Sequence, residues 1–149
     1  MEHYVEWGYL GLFASSFLAA TIIPLSSEIV LSILLANEYN FITSLSVATL
    51  GNWLGGLSSY ALGCLGNWNY LGKYFGVEQA KVKALKNKID RWSSPLAFLC
   101  WLPIFGDVLA VGLGFFSVSL NTVAIWMLFG KVVRYLLWGF LTLWGISLF

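Results

Sequence analysis

Four ionisable residues, Glu28, Asp107, Lys131 and Arg134, lie inside otherwise apolar sequence. Two of them share a local pattern, because Glu28 follows Pro24 by four positions and Asp107 follows Pro103 by four. The formal charges of the four cancel. A lone Asp, Lys or Arg at the centre of a membrane helix costs roughly 2.5–3.5 kcal/mol, so these groups are expected to find partners. Lys131 and Arg134 are three apart and fall on one helical face. A carboxylate in a poorly hydrated cavity gains proton affinity by desolvation and loses it beside a cation, so Glu28 and Asp107 are candidates for a proton or ion pathway. Arg134 and Lys131 are candidates for a phosphate-bearing ligand, Arg134 above all, since a guanidinium grips phosphate through two parallel bonds. The alternative is a buried ion-pair network that only locks helices together.

Other chemistry lacks raw material. His3 is the only histidine, which leaves no zinc ligand set and no Ser-His or Cys-His pair. Cys64 and Cys100 sit apart in apolar runs, where a thiol behaves as a small hydrophobe. Aromatic residues make up 17% of the chain and are assigned to interfacial belts. No cofactor, metal, enzymatic activity or nucleic-acid partner is expected.

The elements that position these groups follow from composition. Of 149 residues, 59% are hydrophobic and 10% charged, against about 45–50% and about 25% in ordinary soluble domains, which points to an all-α integral membrane protein. The acidic leader MEHYVE and the interior Glu28 argue against a cleaved signal peptide. Three apolar blocks run over 7–36, 41–65 and 95–149. The second carries no charge and reads as the clearest spanning helix, with Gly51, Gly55, Gly56 and Ser59 forming a packing stripe. The first is too long for one span and too short for two. Pro24 is expected to break it into a re-entrant hairpin, and Pro103 to break the third block in the same way before a long helix from about Thr122.

A shift of 79 positions puts Pro24 on Pro103, Glu28 on Asp107, Thr43 on Thr122 and Gly51 on Gly130. We therefore expect one membrane domain built as two repeats, residues 7–65 and 95–149, joined by a linker over 66–94. Six of the eight basic residues fall between Lys73 and Arg91. Val82, Leu85, Ile89 and Trp92 share a face there, which suggests an amphipathic interfacial helix, cytoplasmic by the positive-inside rule. One hairpin plus one span per repeat then leaves both termini outside and the repeats inverted, a recurrent transporter plan. The two acids are expected to meet near the membrane midplane, opposite Arg134.

The segments LFASSFLAATIIPLSSEIVL from Leu12, GNWLGG from Gly51, WLPIFGD from Trp101 and GKVVRY from Gly130 resemble the YqaA-type branch of the DedA family, also called VTT-domain proteins. The resemblance covers nearly the whole chain. It implies a multi-pass bacterial inner-membrane protein with two opposed re-entrant hairpins and a role in moving lipids across the bilayer. In some relatives that role is linked to undecaprenyl phosphate or phosphatidylethanolamine, in others to proton-motive force and drug resistance. It supports Glu28, Asp107 and Arg134 as functional residues and Pro24 and Pro103 as hairpin breakers. Larger DedA proteins usually carry an arginine just ahead of the second hairpin proline, where this chain has Trp101.

The leading expectation is a lipid flippase or scramblase, proton-coupled or not, whose partners are lipids with anionic or phosphate-bearing headgroups. A scaffold or assembly protein and a small-solute secondary carrier are the alternatives. Two spans and two hairpins give little protein to shield broken backbone, which favours a homodimer.

Overall fold

The computed structural model describes residues 2–20, 26–66, 79–102 and 105–148, with no side-chain placement for Glu2 or for 79–82. Pro24 and Pro103, the expected breakers, lie outside the described residues. Every regular element among the described residues is helical: α1 Glu2–Ala19, α2 Ser27–Ala36, α3 Phe41–Leu65, α4 Gln79–Arg91, α5 Ser93–Phe98, a 3₁₀ turn Leu99–Trp101, α6 Phe105–Phe115 and α7 Leu120–Ser147. The apolar block 41–65 coincides with α3. The first helix starts earlier than the apolar block at Trp7 and takes in the acidic leader, where His3 and Glu6 sit 3.8 Å apart one turn from each other.

At about 1.5 Å per residue, the 28 residues of α7 reach about 42 Å and the 25 of α3 about 37 Å. Among the described residues only α7 combines that length with sustained apolar character. The expectation that α3 is the clearest span is corrected on this point, because its serines, glycines, Thr43, Thr49 and Asn52 dilute its hydropathy. The short apolar helices α2 and α6 have 10 and 11 residues, about half the roughly 30 Å hydrocarbon thickness.

The chain divides into two compact units, Met1–Gly55 with Lys131–Phe149, and Gly56–Gly130. In the first, Leu12, Leu31, Leu34, Leu35, Ala48 and Tyr135 form the buried core. Two glycines bring α3 against α1. A Cβ at Gly51 would lie 2.6 Å from the Phe13 carbonyl oxygen, and one at Gly55 would strike that of Phe17. Both are part of the anticipated packing stripe, and Gly56 and Ser59 are buried as well. In the second unit α3 and α6 approach reciprocally, so that a Cβ at Gly63 would collide with the Val111 carbonyl and one at Gly114 with that of Tyr60. Gly114→Leu is expected to destabilise the detergent-solubilised protein by at least the usual overpacking cost of about 1–3 kcal/mol, read as a lower thermal midpoint, with Gly112→Leu, where a Cβ meets open space, as the neutral control.

Both units use the same turn. Glu38 and Ser117, 79 positions apart, are the positive-φ non-glycine residues among those described, at 62° and 52°. Each closes a short helix in a Schellman motif: Tyr39 N–H bonds the Leu34 carbonyl and Glu38 N–H that of Leu35, while Val118 N–H bonds the Leu113 carbonyl and Ser117 N–H that of Gly114. The bonds Asn37 to Ile33 and Ser44 to Asn40 recur as Phe116 to Gly112 and Val123 to Ser119, again shifted by 79. Asn40 Oδ1 then caps α3 by accepting from Thr43 N–H at 3.1 Å. Left-handed backbone strains any residue with a Cβ, so Glu38→Gly and Ser117→Gly are each expected to stabilise the fold by about 1 kcal/mol, read as a higher thermal midpoint.

The glycine packing recurs too. A Cβ at Gly130 would lie 2.5 Å from the Phe98 carbonyl oxygen and 3.3 Å from Trp101 Cβ, matching Gly51 with Phe13 and with Ser16 Cβ at 3.2 Å. Here the packed partners differ by 85 positions rather than 79, so the stretch between this helix and the acid is six residues shorter in the second half (85 − 79).

Candidate functional site

The site is built on two helices of the first unit. Ser27 and Glu28 open α2, so Glu28 lies in the first turn, where partial positive charge from unpaired amides favours a carboxylate. From α7, Lys131, Arg134, Tyr135, Trp138 and Thr142 project at intervals of three or four and share one face.

Glu28 and Arg134 form an ion pair through Oε1 and Nη2. Their side chains are 17% and 16% exposed, too buried for free solvation yet not sealed. Beside them Ser27 and Tyr135, both fully buried, share a hydroxyl-hydroxyl bond of 2.7 Å. Two turns along α7, Trp138 Nε1–H donates to Ser32 Oγ at 3.0 Å, Ser32 and Thr142 hydroxyls bond at 3.0 Å, and Thr142 donates to the Trp138 carbonyl at 2.9 Å. With the Ser32 proton on Thr142 Oγ1, this ring satisfies each of its donors. The seam between α2 and α7 therefore carries polar pairs over about two turns, from Arg134 to Thr142, beside the apolar core.

Lys131 occupies a different environment. It is 2% exposed, and its ammonium donates to the Asn52 carbonyl at 2.8 Å and to Asn52 Oδ1. Asn52 is itself 2% exposed and donates through Nδ2 to the Ser16 carbonyl at 3.0 Å. One amide thus ties α7, α3 and α1 together, with its orientation fixed because the oxygen must face the ammonium. A buried ammonium is tolerable only with acceptors of this kind, so Lys131 is committed to the interior.

Of the four ionisable residues singled out by sequence, Glu28 and Arg134 meet directly. Lys131 sits on Asn52 in the same unit. Asp107 is half-buried in the first turn of α6 in the second unit, the place that Glu28 holds in α2. Sequence reasoning missed Asn52, Ser27, Tyr135, Ser32, Trp138 and Thr142. A signal existed for the last three α7 positions, since 135, 138 and 142 continue the face that Lys131 and Arg134 begin. Asn52, an uncharged carboxamide among the glycines of α3, gave no such signal.

A chain whose described regular elements are helical, with one long apolar helix among them and charges paired inside apolar sequence, is, in class, a membrane protein. The inner membrane protein YqaA of Escherichia coli strain K12 is 32% identical over 127 residues, 83% of this chain and 83% of the relative, and that of Shigella flexneri matches to the same extent. An uncharacterised protein of Haemophilus influenzae is 28% identical over 139 residues, 88% of this chain and 85% of its own. The chain belongs to the YqaA-type branch of the DedA family and is a bacterial inner-membrane protein. No protein-family model matches it, and no solved structure does.

Proposed function

We propose that the protein translocates a phosphate-bearing lipid across the inner membrane, with Arg134 as the headgroup cation and Glu28 as its displaceable counter-ion. The Glu28–Arg134 ion pair carries this reading. An arginine held by a carboxylate inside apolar helices has a ready-made anion site, and an incoming phosphate can take the place of the Glu28 oxygen at the guanidinium through two parallel bonds. Displaced Glu28 then stands in a poorly hydrated setting in which taking up a proton relieves its charge, which makes proton coupling a natural companion of headgroup entry. Lys131, buried and held by two acceptors of Asn52, acts as an anchor for α7 in this scheme rather than as a second phosphate ligand. Asp107 is the corresponding acid of the second half.

The accompanying architecture is a multi-pass one of two inverted repeats, each a re-entrant hairpin plus a span, with α4 on the cytoplasmic side and no enzymatic activity. The hydrogen bonds and positive-φ turns that recur at 79 positions support the repeat, and the half-thickness lengths of α2 and α6 support the hairpins. A homodimer would shield the broken backbone.

The test is translocation in proteoliposomes. Protein-dependent flipping of a fluorescent phospholipid, without flipping of a matched lipid that lacks phosphate, is the expected result. Equal rates for both lipids, or none above empty liposomes, contradicts it. A structural role for the buried charges is the second reading, favoured by Lys131, whose contacts with Asn52 leave it deep in the interior. It expects substitutions at Glu28 and Asp107 to change abundance or assembly without a transport defect.

A further inference from the structure

Helix α4 is where most of the charge outside the membrane segments collects, and the translocation scheme leaves it unused. Its described side chains include Lys83, Lys86, Lys88 and Arg91 against one acid, Asp90, which is paired with Lys86 at 2.9 Å. Taking 100° per residue, Leu85 and Trp92 lie within about 20° of one another, with Ile89 next to them, while Lys88 flanks this strip on one side and Lys86 on the other. Leu85 is 48% exposed and Trp92 56% exposed, so much of the apolar strip is uncovered by the described residues, whereas Ile89 is half-buried. Only Trp92 separates α4 from α5, whose Ala97 is fully buried, followed by Cys100 at 3%. The strip is thus continuous with the apolar block of the second unit, at the boundary where sequence passes from basic to membrane-compatible.

We propose that this face of α4 lies in the headgroup layer of an anionic bilayer, with Leu85 and Trp92 entering the apolar edge and Lys86, Lys88 and Arg91 reaching anionic phosphates. Charge selects this occupant. Two copies of α4 meeting through this face would bring like charges together, whereas long basic side chains flanking an apolar strip suit a surface that is greasy below and negative above. Trp92 carries an indole N–H that an interfacial position keeps wet. The lipid bound here is a static surface, distinct from any headgroup carried past Arg134, and the proposal stands or falls independently of translocation.

The full chain, with Cys64→Ser, Cys100→Ala and a nitroxide on Leu85→Cys, is reconstituted into vesicles of phosphatidylcholine alone or mixed with phosphatidylglycerol. In the anionic vesicles the label is expected to be more accessible to oxygen than to a nickel chelate, while a label at Asn87→Cys, on the opposite face, stays accessible to nickel. Replacing Lys86, Lys88 and Arg91 by glutamine is expected to lower the docked-to-undocked ratio about five-fold per residue, since a basic residue near an anionic surface is worth about 1 kcal/mol. Nickel accessibility at Leu85→Cys unchanged by anionic lipid overturns the proposal, and so does spin–spin broadening that reports a second copy at this face. If the cysteine replacements prevent folding, brominated phosphatidylglycerol decides the matter on the native cysteine background. Greater emission quenching in wild type than in Trp92→Phe supports docking, and equal quenching refutes it.

Discussion

Glu28→Ala is expected to destabilise the protein by about 3–5 kcal/mol, because it takes the carboxylate away from the Arg134 guanidinium in a setting that is 84% closed to solvent (100 − 16). The cost should fall mainly on the buried positive charge rather than on lost attraction. Glu28→Gln combined with Arg134→Gln, which removes both charges and leaves a carboxamide at each position, is therefore expected to recover most of the stability that either single substitution loses. Thermal midpoints of the four proteins in detergent form a double-mutant cycle, and a coupling near zero would show that the pair does not hold α2 to α7. Ser27 and Tyr135, whose hydroxyls meet at 2.7 Å beside the pair, offer a smaller comparison, since Tyr135→Phe leaves one buried hydroxyl without its partner at a cost of about 1–3 kcal/mol.

Asn52→Leu is expected to have an effect of similar size for a different reason. Lys131 loses the side-chain oxygen as an acceptor while the backbone carbonyl of position 52 stays, and Ser16 loses the amide that bonds its carbonyl. Asn52→Asp retains the acceptor and supplies a countercharge, so it should be tolerated far better than Asn52→Leu. Lys131→Met in the Asn52→Leu background removes the buried ammonium and is expected to restore part of the loss. Protein yield and thermal midpoint read each step. Equal tolerance of Asp and Leu at position 52 would mean that the ammonium does not depend on this amide.

These two results concern neighbouring groups that looked alike in the sequence. Lys131 and Arg134 are three apart, and spacing alone places both on one face without saying which points to the interior and which to a counter-ion. The partner decides, and it comes from another element: Glu28 on α2 for Arg134, Asn52 on α3 for Lys131. Glu28 was legible because a carboxylate in apolar sequence demands an explanation. Asn52 was not, because an uncharged carboxamide among glycines reads as part of a packing stripe.

The helices show the same division. The bounds of α3 follow from an uninterrupted apolar run. Its rank among the spans does not, because small polar residues that let α1 approach Gly51 and Gly55 also lower its hydropathy. The turns after α2 and α6 were opaque for want of a glycine: Glu38 and Ser117 adopt left-handed backbone that their types do not advertise. They lie 79 positions apart, the same offset that relates Glu28 to Asp107, and the helices that follow them start at Phe41 and Leu120, also 79 apart.

The central claim is that Arg134 handles the headgroup and that its pairing with Glu28 is more than a clasp. The most direct measurement is the rate of fluorescent phospholipid translocation in proteoliposomes by the Glu28→Gln/Arg134→Gln protein, chosen because its neutral pair should preserve the fold, beside wild type at equal amounts of folded protein. The account predicts a correctly folded variant that no longer translocates the phospholipid. Wild-type translocation by that variant would contradict it and leave the buried charges a structural role only.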